Sequence, residues 1–175
     1  MRTLGISVVL TLVAAVVVMA RPAAKPPQAP ASQTTLAPMK TFSSSADVQA
    51  LLAKAKAEHK EGQVMVAEPI LSLSPYVTNL EYRPIEGAVA VHEKEAEIVY
   101  VIDGSGTLIT GGTVVGQKRT NAANLSGTSI EGGTSQTVGK GDFTIIPENT
   151  PHQFKPSGGP LVLMTQHVPR PLAAQ

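Results

Sequence analysis

The sequence predicts an all-β domain, an antiparallel barrel or sandwich, preceded by a single α-helix. Three observations point there. From Gln63 onward the apolar pattern has a period of two, with short β-rich runs at VMVAE, ILSLS, YVTNLEYR, GAVAVH, EIVYVID, GTLIT, FTIIP, HQFK and LVLMTQHV. Gly, Pro, Asn and Asp punctuate these runs, and about nine strands at such spacing fit a closed or two-layered β fold. Ahead of them, Val48, Leu51, Leu52 and Ala55 recur at helical spacing instead. The chain has 175 residues, enough for one domain with a core and too few for two ordinary ones.

Met1-Arg2 leads into the uncharged run GISVVLTLVAAVVVMA, which ends at small residues near Ala20. A basic start, an apolar stretch of that length and small residues at its end read as a signal peptide over 1–20, and hence as export to a periplasm or the extracellular medium. The run is shorter than the roughly 20 residues of a spanning helix, so no stable membrane span is expected after cleavage. Residues 21–43 are Pro- and Ala-rich and read as an extended linker. The helical stretch occupies 44–62, with Ser44 or Ser45 as cap and Gly62 as stop. On its polar end, His59 is expected to be solvated. The β domain then covers 63–171.

Composition excludes several functions. The formal net charge is +1, aromatic residues make up 3% and no Lys/Arg cluster exceeds Lys118-Arg119, so no nucleic-acid partner is expected. Cysteine is absent, which removes disulfides and thiolate ligands. Gly104-Ser105-Gly106 leads into a strand, not a helix, and is no dinucleotide fingerprint. Asn124-Leu125-Ser126 fits only the glycosylation acceptor pattern. Segment 111–137 is glycine-rich and polar, and reads as a long loop or lid between two motif-bearing regions.

Those regions are GAVAVHEKEAEIVYVIDG and GDFTIIPENTPHQF. In the first, Ala88, Ala90 and His92 alternate with Val89 and Val91, so small residues share the face of the imidazole. Following a polar reversal at Glu93–Ala96, Glu97 opens a strand on which it shares a face with Val99 and Val101. His152 enters a strand with Phe154 on its side. The spacing resembles the cupin superfamily. Glu97 and Gly104 match the end of its first motif, with His92 in the second histidine place and Ala90 where the first histidine is usual. Gly141, Pro147 and His152 match its second motif, with Asn149 for the usual glycine and Pro156 for the usual asparagine.

The resemblance implies a cupin-type jelly roll and a divalent-metal site of His92, Glu97 and His152. His167, which alternates with Leu161, Leu163 and Thr165, is a further candidate ligand in place of the one lost at Ala90. Ligand softness does not choose among Zn, Fe, Mn and Ni. Ala88, Ala90, Val99, Val101 and Phe154 are expected to line a small apolar pocket for a small organic molecule, with Tyr82 as a hydrogen-bonding wall. Ile98, Tyr100 and Ile102 form an outer apolar face suited to a homodimer. Function on this reading is either metal-dependent chemistry, as an oxygenase, isomerase or lyase, or non-catalytic ligand binding or a structural role on the same scaffold.

Overall fold

The computed structural model describes residues 39–170. The expected signal segment 1–20 and nearly all of the linker 21–43 lie outside the described residues, as does the C-terminal residue of the expected β domain. No helix among the described residues is long and apolar enough to cross a membrane.

Helix α1 spans Ser45–Glu58. Ser44 caps it, its hydroxyl accepting from the Asp47 N–H while the Asp47 carboxylate accepts from the Ser44 N–H at 2.8 Å, so two otherwise orphan donors are satisfied. The helix stops short of Gly62 because His59 is already extended. His59 is not freely solvated: its ring stands edge-on to Tyr82 at 5.7 Å and Nε2 contacts the Gln63 carbonyl at 2.8 Å.

Thirteen strands follow: β1 Val66–Leu73, β2 Tyr76–Arg83, β3 Val89–His92, β4 Glu95–Asp103, β5 Ser105–Thr110, β6 Thr113–Val115, β7 Lys118–Arg119, β8 Asn124–Gly127, β9 Ser129–Glu131, β10 Thr134–Gly139, β11 Phe143–Ile146, β12 His152–Pro156 and β13 Leu161–Pro169. They form a five-stranded sheet in the order β1-β2-β13-β4-β11 and a six-stranded sheet in the order β10-β5-β12-β3-β8-β7, with β6-β9 as a separate pair. All pairings are antiparallel. The expected all-β class with one preceding helix therefore holds.

Two expectations change. VMVAE and ILSLS are not separate strands but one, β1, which passes Pro69 with a register shift between Pro69 and Leu71. Proline is tolerated there because β1 is the edge of its sheet and sits at a bulge. Segment 111–137 is not a loop: it holds β6 to β9 and the start of β10. Its Ser, Thr, Asn and Gly content hid that, since β8 and β10 are held by pairing with β3 and β5 and not by an apolar face of their own.

The two large sheets face each other across a core of Val99, Val101, Ile146, Leu161 and Leu163 from one and Leu108, Val138 and Phe154 from the other. On the outer side of the five-stranded sheet, α1 packs Leu52 and Ala55 against Val66, Ile70, Leu80 and Val162. Tyr82 and Ile102 pack against this second cluster. Part of the outer β4 face expected to meet another subunit is thus covered by the chain's own helix, while Phe143 and Ile145 on the neighbouring edge strand are 71% and 64% exposed.

Gly104 shows how tightly the scaffold closes. It turns β4 into β5 at φ +83°, and a Cβ there would lie 2.2 Å from the Pro160 carbonyl oxygen.

Candidate metal centre

Strand register brings the two motifs together. β12 lies beside β3 with His152 opposite Ala90, so His152, Ala90 and His92 share the inward face. Across the sandwich, Glu97 near the start of β4 points in on the same side as Val99 and Val101. The segment before β12 is tied to β3 by backbone: the Asn149 N–H donates to the His92 carbonyl at 2.7 Å. Asn149 has φ +57°, which is why asparagine can stand in this left-handed position.

His92, Glu97 and His152 place one ligand atom each within 4.8 Å of one another. Glu97 Oε2 is 3.0 Å from His152 Nε2 and 3.7 Å from His92 Nε2. Donors bound to one ion at about 2.1 Å stand roughly 3 to 3.5 Å apart, and the Glu97–His152 pair already meets that spacing.

The second nitrogen of each ring is committed elsewhere. His152 Nδ1 lies 3.0 Å from the Thr150 carbonyl, which only accepts, so Nδ1 carries the proton. His92 Nδ1 donates in the same way to Asn124 Oδ1 at 2.8 Å. In its neutral form each ring would then turn an Nε2 lone pair toward Glu97. Glu97 is 3% exposed, and its Oε2 has no partner with hydrogen-bond geometry despite the short distance to His152. Three groups able to donate an electron pair thus converge at one buried point, an arrangement that could hold a metal ion.

Burial pushes the His92 imidazole below its ordinary value, against the Asn124 hydrogen bond, which favours the charged form. Burial opposes ionisation of Glu97, but the His152 contact and the charge the three nearby imidazoles carry when protonated outweigh it, so the carboxyl is held below its ordinary range by protonated rings in the absence of a metal. Neutral imidazole and ionised carboxylate are the forms a metal takes.

His167 is drawn close without joining the group. It lies opposite Glu97 on β13, its ring 4.2 Å from the His92 ring, but Nδ1 contacts Glu95 Oε2 at 3.1 Å. The residues expected to form one pocket divide between two cavities. Val99, Val101 and Phe154 line a space of about 120 Å³ that reaches the surface beside Gln136, Asp142 and Phe143. Ala88, Ala90 and His92 line another of about 310 Å³, together with Arg83 and Asn124. Tyr82 borders neither. Adjacent strand residues point to opposite faces, and in the Tyr82-Arg83 pair it is Arg83 that turns inward while Tyr82 packs toward α1.

Asn124 was not legible as a site residue. The glycosylation pattern that marked it belongs to a half-buried side chain bonded to His92. Only its register opposite His92, set by pairing of β8 with β3, gives it this part.

Two facing antiparallel sheets, with the first motif divided between them and the second meeting it on β12, complete the arrangement. The fold is a sandwich of two antiparallel sheets, as the expected jelly roll requires. No protein-family model matches the sequence, and no curated protein matches it significantly. Among solved structures, cupin-like proteins are similar in fold. The TT1209 protein of Thermus thermophilus is 18% identical over 69% of this chain and 95% of that one, with a TM-score of 0.48. A Klebsiella pneumoniae protein with a double-stranded β-helix domain is 18% identical over 63% and 82%, at 0.47. FeII HppE is 13% identical over 60% and 51%, also at 0.47.

Proposed function

We propose that this cupin-type domain holds one divalent metal ion through His92, Glu97 and His152 and presents it to a small organic molecule in the adjoining cavity. The observation that carries the proposal is the convergence of the buried Glu97 carboxylate with the Nε2 atoms of His152 and His92, at 3.0 and 3.7 Å, whose rings donate their Nδ1 protons to Thr150 and Asn124. Two imidazoles and one carboxylate leave coordination positions open, with Ala90 supplying a methyl group where a further ligand would fill space. When bound, such an ion polarises an oxygen atom of its ligand, the chemistry that oxygenases, isomerases and lyases share.

The chain's own contribution is orientation and exclusion of water. Asn124 and Thr150 fix the two rings, and the buried Val99 and Phe154 pack in the core on the same inward faces as Glu97 and His152. Metal analysis of the purified full chain, alongside His152→Ala, tests the reading. Stoichiometric metal in the first and its loss in the second is expected; background metal in both sinks the site. Metal-dependent turnover or oxygen uptake, lost in both His92→Ala and Glu97→Gln, separates an enzyme from a binding module.

The same proposal takes the protein to be exported, on the strength of the 1–20 segment, and to pair through the edge carrying Phe143 and Ile145. Fractionation of expressing cells and sedimentation at micromolar concentration check these two points. A cell-retained, uncleaved chain contradicts the first, and a strict monomer the second.

A further inference from the structure

We infer that Arg83 makes the cavity beside His92 a receptor for a small carboxylate. The inference rests on the cavity reading above and names the class of molecule it takes. Arg83 ends β2 on the inward face, with its side chain 17% exposed. It is held firmly on one edge only. Nε and Nη2 lie 2.8 and 2.7 Å from the same oxygen of Glu81, whose other oxygen accepts from Thr165 Oγ1 at 3.0 Å. The guanidinium carbon stands 5.4 Å from the centre of the Phe154 ring, which adds a cation–π contact.

The far edge is left over. Among the described residues, the side-chain hydrogen bonds of Arg83 go to Glu81 alone. Nη1 lies toward Gly87, where an added Cβ would come within 3.3 Å of it, so the missing side chain keeps that edge uncovered. Arg83, Ala90, His92 and Asn124 line one cavity of about 310 Å³, enough for a molecule of a few carbons.

A fixed guanidinium edge matches the two coplanar oxygens of a carboxylate better than any neutral group. The fork geometry, with one edge of the guanidinium held by Glu81 and the other open, favours a single carboxylate. The apolar walls from Ala88, Val89 and Ala90 favour an organic acid over inorganic phosphate.

Lactate and its neutral isostere lactamide test this by NMR titration of the 15N-labelled full chain, both metal-loaded and after chelation. Lactate is expected to bind at least tenfold more tightly than lactamide in both states, and the preference to fall below twofold in Arg83→Met. Because that change strands a buried Glu81, the Glu81→Gln/Arg83→Met pair is measured beside it. Equal binding of the two probes, no binding of either at millimolar concentration, or a preference that survives in the folded double variant overturns the inference. Chelated protein that keeps the Arg83-dependent preference while metal analysis reads blank removes the metal proposal and leaves this one standing. Metal-loaded protein that shows no preference does the reverse.

Discussion

Replacing Asn124 by alanine removes the acceptor for the His92 Nδ1 proton and leaves every proposed metal ligand in place. The bond is 2.8 Å long and partly buried. As an ordinary hydrogen bond it is worth about 0.5–1.5 kcal/mol. It also selects the tautomer and points Nε2 at Glu97, and losing a partner of this kind typically lowers metal affinity by about 10- to 100-fold, or roughly 1.4 to 2.7 kcal/mol. The structure puts Asn124→Ala toward the lower end. His152 is oriented by a main-chain carbonyl that the substitution does not touch, and it makes the closer approach to Glu97, 3.0 against 3.7 Å. Zinc titration against a chromogenic chelator at neutral pH should show an affinity drop of about tenfold in Asn124→Ala. Asn124→Asp should equal or exceed the wild type, since a carboxylate is the stronger acceptor. Urea unfolding of each variant controls for stability. If Asn124→Ala keeps its affinity within twofold while His152→Ala loses zinc, the assignment of His92 as an oriented ligand is wrong.

Acidification should destabilise the metal-free protein. His92 is held below its ordinary 6.5 by burial, so in that interval the unfolded chain binds the extra proton and stability rises with pH. The depressed Glu97 carboxyl acts with the same sign: its contribution is full above the ordinary 4.5 and is lost as pH falls through the folded value. The urea midpoint should therefore fall steadily from pH 7 to pH 4, and a flat profile contradicts the burial argument. Leu163→Ala, at a fully buried position where the two sheets meet, should cost about 2–5 kcal/mol in urea unfolding; less than 1 would mean the core is not packed as described. Gly104→Ala should cost about 1–3 kcal/mol from its positive φ alone, and more from the overlap with Pro160, and a neutral result would contradict the closure between β4 and β5. Ser44→Ala should lower stability by about 1 kcal/mol through loss of the capping box, and an unchanged midpoint would show that the cap adds nothing.

What the sequence determined by itself was whatever depends on local period and spacing. Alternation in EIVYVID put Glu97, Val99 and Val101 on one face, and the helical spacing of Leu52 and Ala55 put them on the buried stripe of α1. Motif intervals marked His92, Glu97 and His152 because turn and strand lengths between paired strands admit few alternatives, and they marked Asn149 as a residue able to stand at positive φ. Tertiary structure decided the rest. Strands β6 to β9 carry no apolar alternation of their own and exist through their partners, so Asn124 acquires its hold on His92 from register with β3, across 32 residues of chain. The side on which Tyr82 and Arg83 fall follows from which face of β2 meets α1, and nothing in a two-residue polar step records that. The split of the expected pocket into two cavities has the same origin: Val99, Val101 and Phe154 border one space, and Ala90, Gly87 and Arg83 border the other.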